Sequence, residues 1–351
     1  MAASRTEFHP LTVARVDPLT DDSAAVTFDV PPALAGRFAF APGQSLTVRR
    51  GDERRSYSIC AVKGRAPRIG VREVAGGAVS GWLVRQVRAG DVVEVQEPSG
   101  SFVPDLDTPG QHVLIAAGSG ITPVLSIAGS LLAAQDSSSV TVLYGNRRSD
   151  SVMFADELAD LKDVYPGRIC LVHVLSREPR EVELFNGRLD AAKLRALLPV
   201  TVDVAAVDHW WLCGPYRMVE DAIGLLTELG VPRARIHREL FYVEDEPPPP
   251  AGHAEAPAGP GAEVTVLLDG RRSTTTIPAG TPVLDGAQRV RPDLPFACKG
   301  GVCGTCRARL VEGEVTMRRN YALEQEELDA GYILTCQSLP ASPSVIVDYD
   351  A

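Results

Sequence analysis

Three kinds of hydrophobic pattern follow one another along the chain, and each predicts a different architecture. Up to about residue 105 the apolar positions come in short runs: Thr12–Val16, Ala24–Val30, Ser45–Val48, Arg55–Cys60, Ile69–Val74 and Val92–Glu97. Turn residues such as Arg50-Gly51-Asp52 and Lys63-Gly64 separate them. Short strands punctuated in this way predict a small antiparallel barrel over residues 1–105. Val79–Val87 has helical character, with Ser80 near its start as a possible cap.

From about 106 to 243 continuous apolar runs alternate with helical segments. Strands are expected at His112–Ala116, Val140–Tyr144, Cys170–Leu175 and His209–Cys213. Helices are expected up to about Ala134, over Met153–Leu161 and Leu189–Leu198, and from Pro215 to Leu229, where proline suits the first turn. This is the pattern of a parallel sheet covered by helices, an α/β domain. Residues 244–262 break the periodicity. Glu244-Asp245-Glu246, four prolines and an Ala/Gly/Pro tract read as an extended tether.

A third pattern occupies 263–351. Val264–Leu268, a turn at Asp269-Gly270 and Ser273–Ile277 read as a hairpin. Thr281-Pro282 opens a short helix to Gln288. Further short strands are expected at Arg307–Val311, Glu314–Met317, Tyr332–Cys336 and Val345–Tyr349, with a helical turn at Glu324–Asp329.

Composition narrows the function classes. The chain has 351 residues and a formal net charge of −10. That balance argues against a nucleic-acid footprint, which would be basic, and would suit docking to a basic partner. No apolar run reaches the length of a membrane-spanning helix, and the first residues lack a signal-peptide core. The seven cysteines read better as ligands and free thiols than as disulfides, which fits a reducing cytoplasm. Cys60 and Cys170 lie in apolar surroundings and are expected to be buried thiols.

The strongest chemical signal is Cys298-x4-Cys303-x2-Cys306 followed by Cys336. This is the plant-type [2Fe–2S] ligand spacing. Soft thiolates suit iron and inorganic sulfide, and glycines at 300, 301 and 304 let the loop wrap closely and turn N–H groups to the sulfurs. A structural zinc site is the rival reading, although the paired C-x2-C or histidine partners typical of zinc are missing.

Arg55-Ser56-Tyr57-Ser58 resembles the R-x-Y-S signature of the ferredoxin–NADP reductase superfamily. That resemblance implies FAD, with Tyr57 stacked on the isoalloxazine, Ser58 near its reactive nitrogen and Arg55 on the pyrophosphate. A flat aromatic covers a flat ring, and arginine offers a fork to phosphate. The plain alternative is an amphipathic edge strand. Gly76, Gly77, Val79 and Ser80 would form the second flavin motif, with N–H groups at a helix N-terminus facing the pyrophosphate.

Gly118-Ser119-Gly120-Ile121-Thr122-Pro123 is not a full dinucleotide fingerprint, but it is similar to the superfamily's G-x-G-x-x-P form. Gly118 and Gly120 would admit the nicotinamide nucleotide's phosphates, with Thr122 at the helix start. By the same resemblance Ser176 and Arg177, with Arg147 or Arg148, would meet a 2′-phosphate. No acidic residue stands ready for a free ribose diol at these positions, Asp150 and Glu178 being the nearest, so NADPH is preferred to NADH. Cys213-Gly214-Pro215 resembles the superfamily's C-G-P turn and puts Cys213 near the nicotinamide. Glu239 and Phe241 are candidates beside the flavin.

The whole order of domains is similar to the reductase components of multicomponent oxygenases. The last ninety residues resemble the β-grasp of plant-type ferredoxins. The family most resembled is that of the reductase subunits of phenylacetyl-CoA epoxidase complexes, which implies a di-iron oxygenase as electron acceptor. Reduction of another oxygenase or of a hybrid-cluster protein, or a non-catalytic redox sensor or electron carrier, are the alternatives.

Overall fold

The computed structural model describes residues 7–242 and 261–351. They form two compact units, residues 8–242 and residues 261–351. Apart from Gly261 and Ala262, the expected tether at 244–262 lies outside the described residues.

The first unit begins with β1 (His9–Thr20), β2 (Ser23–Asp29), β3 (Ser45–Arg50), β4 (Glu53–Ser58), β5 (Arg68–Arg72), α1 (Ala78–Arg85) and β6 (Val92–Val95). The strands make one antiparallel sheet in the order β4-β3-β6-β1-β2-β5. Its two ends meet. Ile59 bridges Ile69 and the Cys60 N–H donates to the Arg68 carbonyl at 2.8 Å, which closes the expected barrel. Leu11, Val26, Phe28, Leu46, Val71 and Val93 fill its interior. Closure leaves no long free edge to pair with another chain.

The α/β layer follows with β7 (Gln111–Ala117), α2 (Ile121–Ala134), β8 (Ser139–Asn146), α3 (Ala155–Val164), β9 (Ile169–Leu175), α4 (Ala191–Thr201), β10 (His209–Pro215), α5 (Tyr216–Glu228) and β11 (Ile236–Tyr242). The five strands are parallel in the order β11-β10-β7-β8-β9. Sheets of this kind are covered on both faces, so their strands are apolar nearly throughout. β7 is buried from His112 to Ala116.

Helix α2 fastens this sheet to the barrel. Ser126 Oγ donates to the Ala61 carbonyl at 2.6 Å, and the Lys63 N–H donates to Ser130 Oγ at 3.0 Å. Gly70 of β5 has Thr122 and the Phe154 ring so close that a Cβ would stand 2.3 Å from the Thr122 methyl. Arg68 lies over the same ring and bonds Asp17 and Glu157. The β5 face and the start of α2 are thereby held in one register.

The second unit contains β12 (Ala262–Leu268), β13 (Arg271–Ile277), α6 (Val283–Ala287), β14 (Arg307–Glu312), β15 (Val315–Met317), α7 (Gln325–Asp329), β16 (Tyr332–Leu334), β17 (Ser338–Pro340) and β18 (Ser344–Asp348). A mixed sheet runs β13-β12-β18-β14-β16, and β15 pairs with β17. Its core gathers Val264, Val266, Leu284, Leu294, Phe296 and Leu334.

Three local expectations are corrected. Cys170 is exposed, because β9 is the outer strand of its sheet; Cys60 is buried as expected. Ser80 does not cap α1. The N-cap is Gly77, and Ser80 Oγ instead accepts the Val74 N–H at 3.1 Å, stabilising the turn before the helix. The strand expected over Tyr332–Cys336 stops at Leu334, since Thr335 turns back to the Cys306 carbonyl through its N–H at 3.2 Å and its hydroxyl at 2.9 Å.

Candidate functional site

At the junction of barrel and sheet three distant residues converge on one carboxylate. Ser58 ends β4, Cys213 lies two residues before the end of β10, and Glu239 is its lateral partner on β11. Ser58 Oγ donates to Glu239 Oε2 at 3.2 Å, and Cys213 Sγ approaches the same oxygen at 3.9 Å. Burial pushes the Glu239 carboxyl up to about 7, against the bonds from Ser58 and Cys213 that favour its ionised form. Burial, and then the charge of Glu239, hold the Cys213 thiol well above its ordinary range. The cluster therefore carries a hydroxyl and a thiol that stay protonated, and a carboxyl able to take or give a proton near neutrality.

Tyr57 precedes Ser58 and is half-buried, and burial raises its phenol well above the ordinary value. Ser56 shares a hydrogen bond with Thr47 at 2.9 Å. Arg55 lies beside Glu53 at 2.9 Å and keeps 44 % of its side chain exposed. Gly76 has a left-handed φ of 73° with open space beyond it. Gly77 caps α1 without a side-chain bond, so the first N–H groups of the helix have no side-chain acceptor there. The Val79 side chain is buried in the barrel core, so only its backbone is available to a ligand.

The Gly118–Gly120 turn sits between β7 and α2. Gly118 has φ 55°, a conformation that favours glycine. Gly120 has a different reason. A Cβ there would lie 2.1 Å from the Cys213 carbonyl oxygen, so its smallness lets α2 start against the end of β10. Thr122 is buried and its hydroxyl is turned to the Ser119 carbonyl at 2.9 Å, which makes it a structural brace for the turn. A Cβ on Gly214 would stand 2.8 Å from the Met218 methyl, and Pro215 is the N-cap of α5. Phe241 is half-buried and packs on the sheet core.

Beyond β8 and β9 the arginines gather. The Arg177 N–H donates to the Arg147 carbonyl at 2.8 Å, so the two backbones run side by side. Both side chains are exposed. Ser176 Oγ reaches the Asn146 carbonyl at 3.3 Å. Arg148 pairs with Asp150 at 3.3 Å, and Glu178 accepts from the Ser149 N–H and hydroxyl at 2.8 Å. These bonds to Ser149 hold the Glu178 carboxyl below its ordinary range. Both acids near the arginines are thus already engaged.

The sequence reading missed Arg72. Its Nε is anchored to Asp22 at 2.9 Å, while Nη1 lies 3.3 Å from where a Gly118 Cβ would be. Tyr144 also escaped notice; its hydroxyl donates to the Gly118 carbonyl at 3.0 Å. Neither belongs to a local motif. A barrel strand and a sheet strand bring them to the glycine turn, and no spacing in the sequence announces that.

In the second unit the four predicted ligands fall into two neighbouring pairs, Cys298 with Cys303 and Cys306 with Cys336. The neighbouring Cys303 lowers the Cys298 pKa, and the neighbouring Cys306 lowers that of Cys336. The Gly300 N–H donates to Cys298 Sγ at 3.3 Å. Gly301 and Gly304 have φ of 81° and 66°, and Lys299 adopts 52°. Among the described residues no three Cys, His, Asp or Glu gather as a group for a single ion. Four thiols gathered in this way would suit the four-cysteine ligand set of a [2Fe–2S] cluster.

Comparison with known proteins agrees with this geometry. The family model of the oxidoreductase NAD-binding domain matches residues 114–223, and that of the 2Fe-2S iron-sulfur cluster binding domain matches 266–341. One component of the 1,2-phenylacetyl-CoA epoxidase of Escherichia coli K12 is 41% identical over 355 residues, covering 99% of each chain. The chain belongs to the family of that epoxidase component.

The ferredoxin reductase component of 3-ketosteroid-9-alpha-monooxygenase from Mycobacterium tuberculosis is 37% identical, covering 97% of this chain and 95% of its own. The structure of phthalate dioxygenase reductase matches with a TM-score of 0.61 over 97% of this chain and 98% of that one, at 24% identity, which speaks for a shared fold. The protein is thus an NAD(P)H-dependent oxidoreductase, an electron-transfer component with a 2Fe-2S domain. No helix among its described residues is long and apolar enough to cross a membrane.

Proposed function

We propose that this reductase takes hydride from NADPH onto FAD and passes electrons through the [2Fe–2S] cluster to a di-iron oxygenase of the phenylacetyl-CoA epoxidase type. The observation that carries the reading is the meeting of Ser58 and Cys213 on Glu239. It joins the flavin strand of the barrel to the nicotinamide end of the sheet.

A flavin, when bound, converts a two-electron hydride donor into a source of single electrons. The chain's own residues supply the rest. The α1 N-terminus, open at Gly76 and Gly77, offers N–H groups to the flavin pyrophosphate. Tyr57 offers a face to the ring system. Ser58 offers a hydroxyl whose other end is fixed on Glu239, and Glu239 can exchange a proton through it. Arg72 and the Gly118 turn suit the nucleotide's phosphates. Arg147 and Arg177 suit a 2′-phosphate, because the neighbouring acids are engaged elsewhere.

The choice of acceptor is supported by 41% identity to the epoxidase component along the whole chain. A 3-ketosteroid oxygenase partner is the second reading, supported by the 37% relative. Reconstitution decides between them. The purified reductase, with NADPH, is combined in turn with the oxygenase subunits of a phenylacetyl-CoA epoxidase and with a 3-ketosteroid 9α-oxygenase. Product is expected with the first alone. Product with the second alone would transfer the assignment. A protein that NADPH leaves fully oxidised would end the proposal.

A further inference from the structure

We propose that Arg318 and Arg319, laid across the cluster loop, form a docking element for an acceptor protein that presents carboxylates where electrons enter it. The inference rests on reading residues 261–351 as the electron-delivering part, and it specifies the charge of the surface that meets the acceptor.

The two arginines directly follow β15. The Arg318 N–H donates to the Gln337 carbonyl at 2.9 Å. Gln337 adjoins Cys336 and gives its side-chain amide to the Lys299 carbonyl at 2.7 Å. The Arg319 backbone lies against Gly301, where a Cβ would stand 3.4 Å from the Arg319 carbonyl oxygen. The Tyr321 N–H closes the strap on the Gly301 carbonyl at 3.1 Å. Residues 318–321 are therefore fixed to both halves of the ligand set, the loop 298–306 and the neighbour of Cys336. Cys303 lies on that same loop.

The carboxylates that touch this rim are engaged within the unit. Asp285 takes Lys299 Nζ at 2.8 Å, and Glu327 takes Arg307. Glu324 is turned inward to the first turn of α7 through a capping box. Arg318 is exposed, and its guanidinium makes no ion pair among the described residues. Arg318 thus places an unpaired positive charge beside the cluster loop, on a chain whose formal net charge is −10. At long range an acidic partner is repelled; it is attracted only when it faces the cluster edge. That combination orients the encounter and discriminates among partners. It also reverses the simple expectation from net charge, which pointed to a basic partner.

The full-length protein can be tested with two probe acceptors, the acidic haem protein cytochrome b5 and the basic cytochrome c. R318E/R319E is compared with wild type and with R318K/R319K. Binding of oxidised cytochrome b5 is measured by titration calorimetry, and one-electron reduction of each cytochrome by NADPH is followed at several salt concentrations. The charge reversal is expected to weaken cytochrome b5 binding and reduction by about tenfold at low salt. The difference should shrink as salt rises, and the lysine variant should retain most of the wild-type behaviour. Cytochrome c reduction and the cluster's midpoint potential should not fall.

Equal losses with both cytochromes, or a shifted potential that accounts for them, would make the arginines a support of the cluster and overturn the proposal. Unchanged binding of cytochrome b5 would overturn it as well, as would binding of vesicles rich in phosphatidylserine that depends on the pair while cytochrome b5 binding does not. Calorimetry needs no electron transfer. A wild-type protein that NADPH cannot reduce would therefore defeat the proposed function while leaving the docking test readable.

Discussion

Glu239→Gln should make the first unit more stable at pH 8 and leave it nearly unchanged at pH 4.5. The native carboxyl is held at about 7 instead of 4.5, chiefly by burial. Between these values the unfolded chain releases a proton that the native chain keeps, so stability falls as pH rises through this window. A shift of this size corresponds to about 3 kcal/mol when the group is fully ionised. Glu239 is half-buried, and solvent screening reduces the expectation to about 2 kcal/mol. Glutamine keeps an oxygen to accept from Ser58 at a similar place but carries no charge to desolvate.

All three tryptophans, Trp82, Trp210 and Trp211, lie in the first unit, so their fluorescence in urea reports on its unfolding alone. Flavin is kept at the same excess in every sample, because ligand binding shifts apparent stability. The gap between variant and wild type should open from pH 4.5 to pH 8. A constant gap across that range, or a less stable variant at pH 8, would refute the assignment of a raised carboxyl. Hydride transfer in the variant should slow, showing that the strained charge is kept for the site.

Other perturbations separate the remaining roles. Arg177→Ala should raise the KM for NADPH about tenfold or more while changing that for NADH less than about twofold; Arg72→Ala should raise both alike. Equal losses at Arg177 would remove its 2′-phosphate role. Gly120→Ala puts a methyl 2.1 Å from a backbone carbonyl oxygen, which cannot rotate away, and should cost about 2 kcal/mol or more in the same urea assay. A variant as stable as wild type would show that the β10–α2 contact yields easily. Cys336→Ser should abolish electron transfer through the cluster, read as loss of its visible and EPR signals, while NADPH still bleaches the flavin; loss of bleaching too would mean that the two units do not work separably.

Local features read well from sequence. The barrel strands, the β7-turn-α2 unit and the cysteine loop each depend on residues close along the chain, where periodicity, turn residues and ligand spacing act directly. The errors were also local, but arose where tertiary surroundings outweighed the pattern. Ser80 has the composition of a cap but is drawn to the Val74 N–H. Cys170 sits in an apolar run whose strand happens to be the sheet's outer one. Gly120 carries a constraint that its motif does not show, because its lack of a Cβ admits the end of β10.

By itself the sequence determined the order of the folding patterns, the spacing of the four cysteines and most of the residues at the junction. Their common destination was a matter for the tertiary structure. Ser58 and Glu239 stand 181 positions apart, and their hydrogen bond exists because α2 pins the barrel to the sheet. The same packing brings Arg72 to Gly118 and removes Thr122 from solvent. The charge of the cluster rim was likewise invisible in a net count. It depends on which carboxylates find internal partners, and only folding decides that.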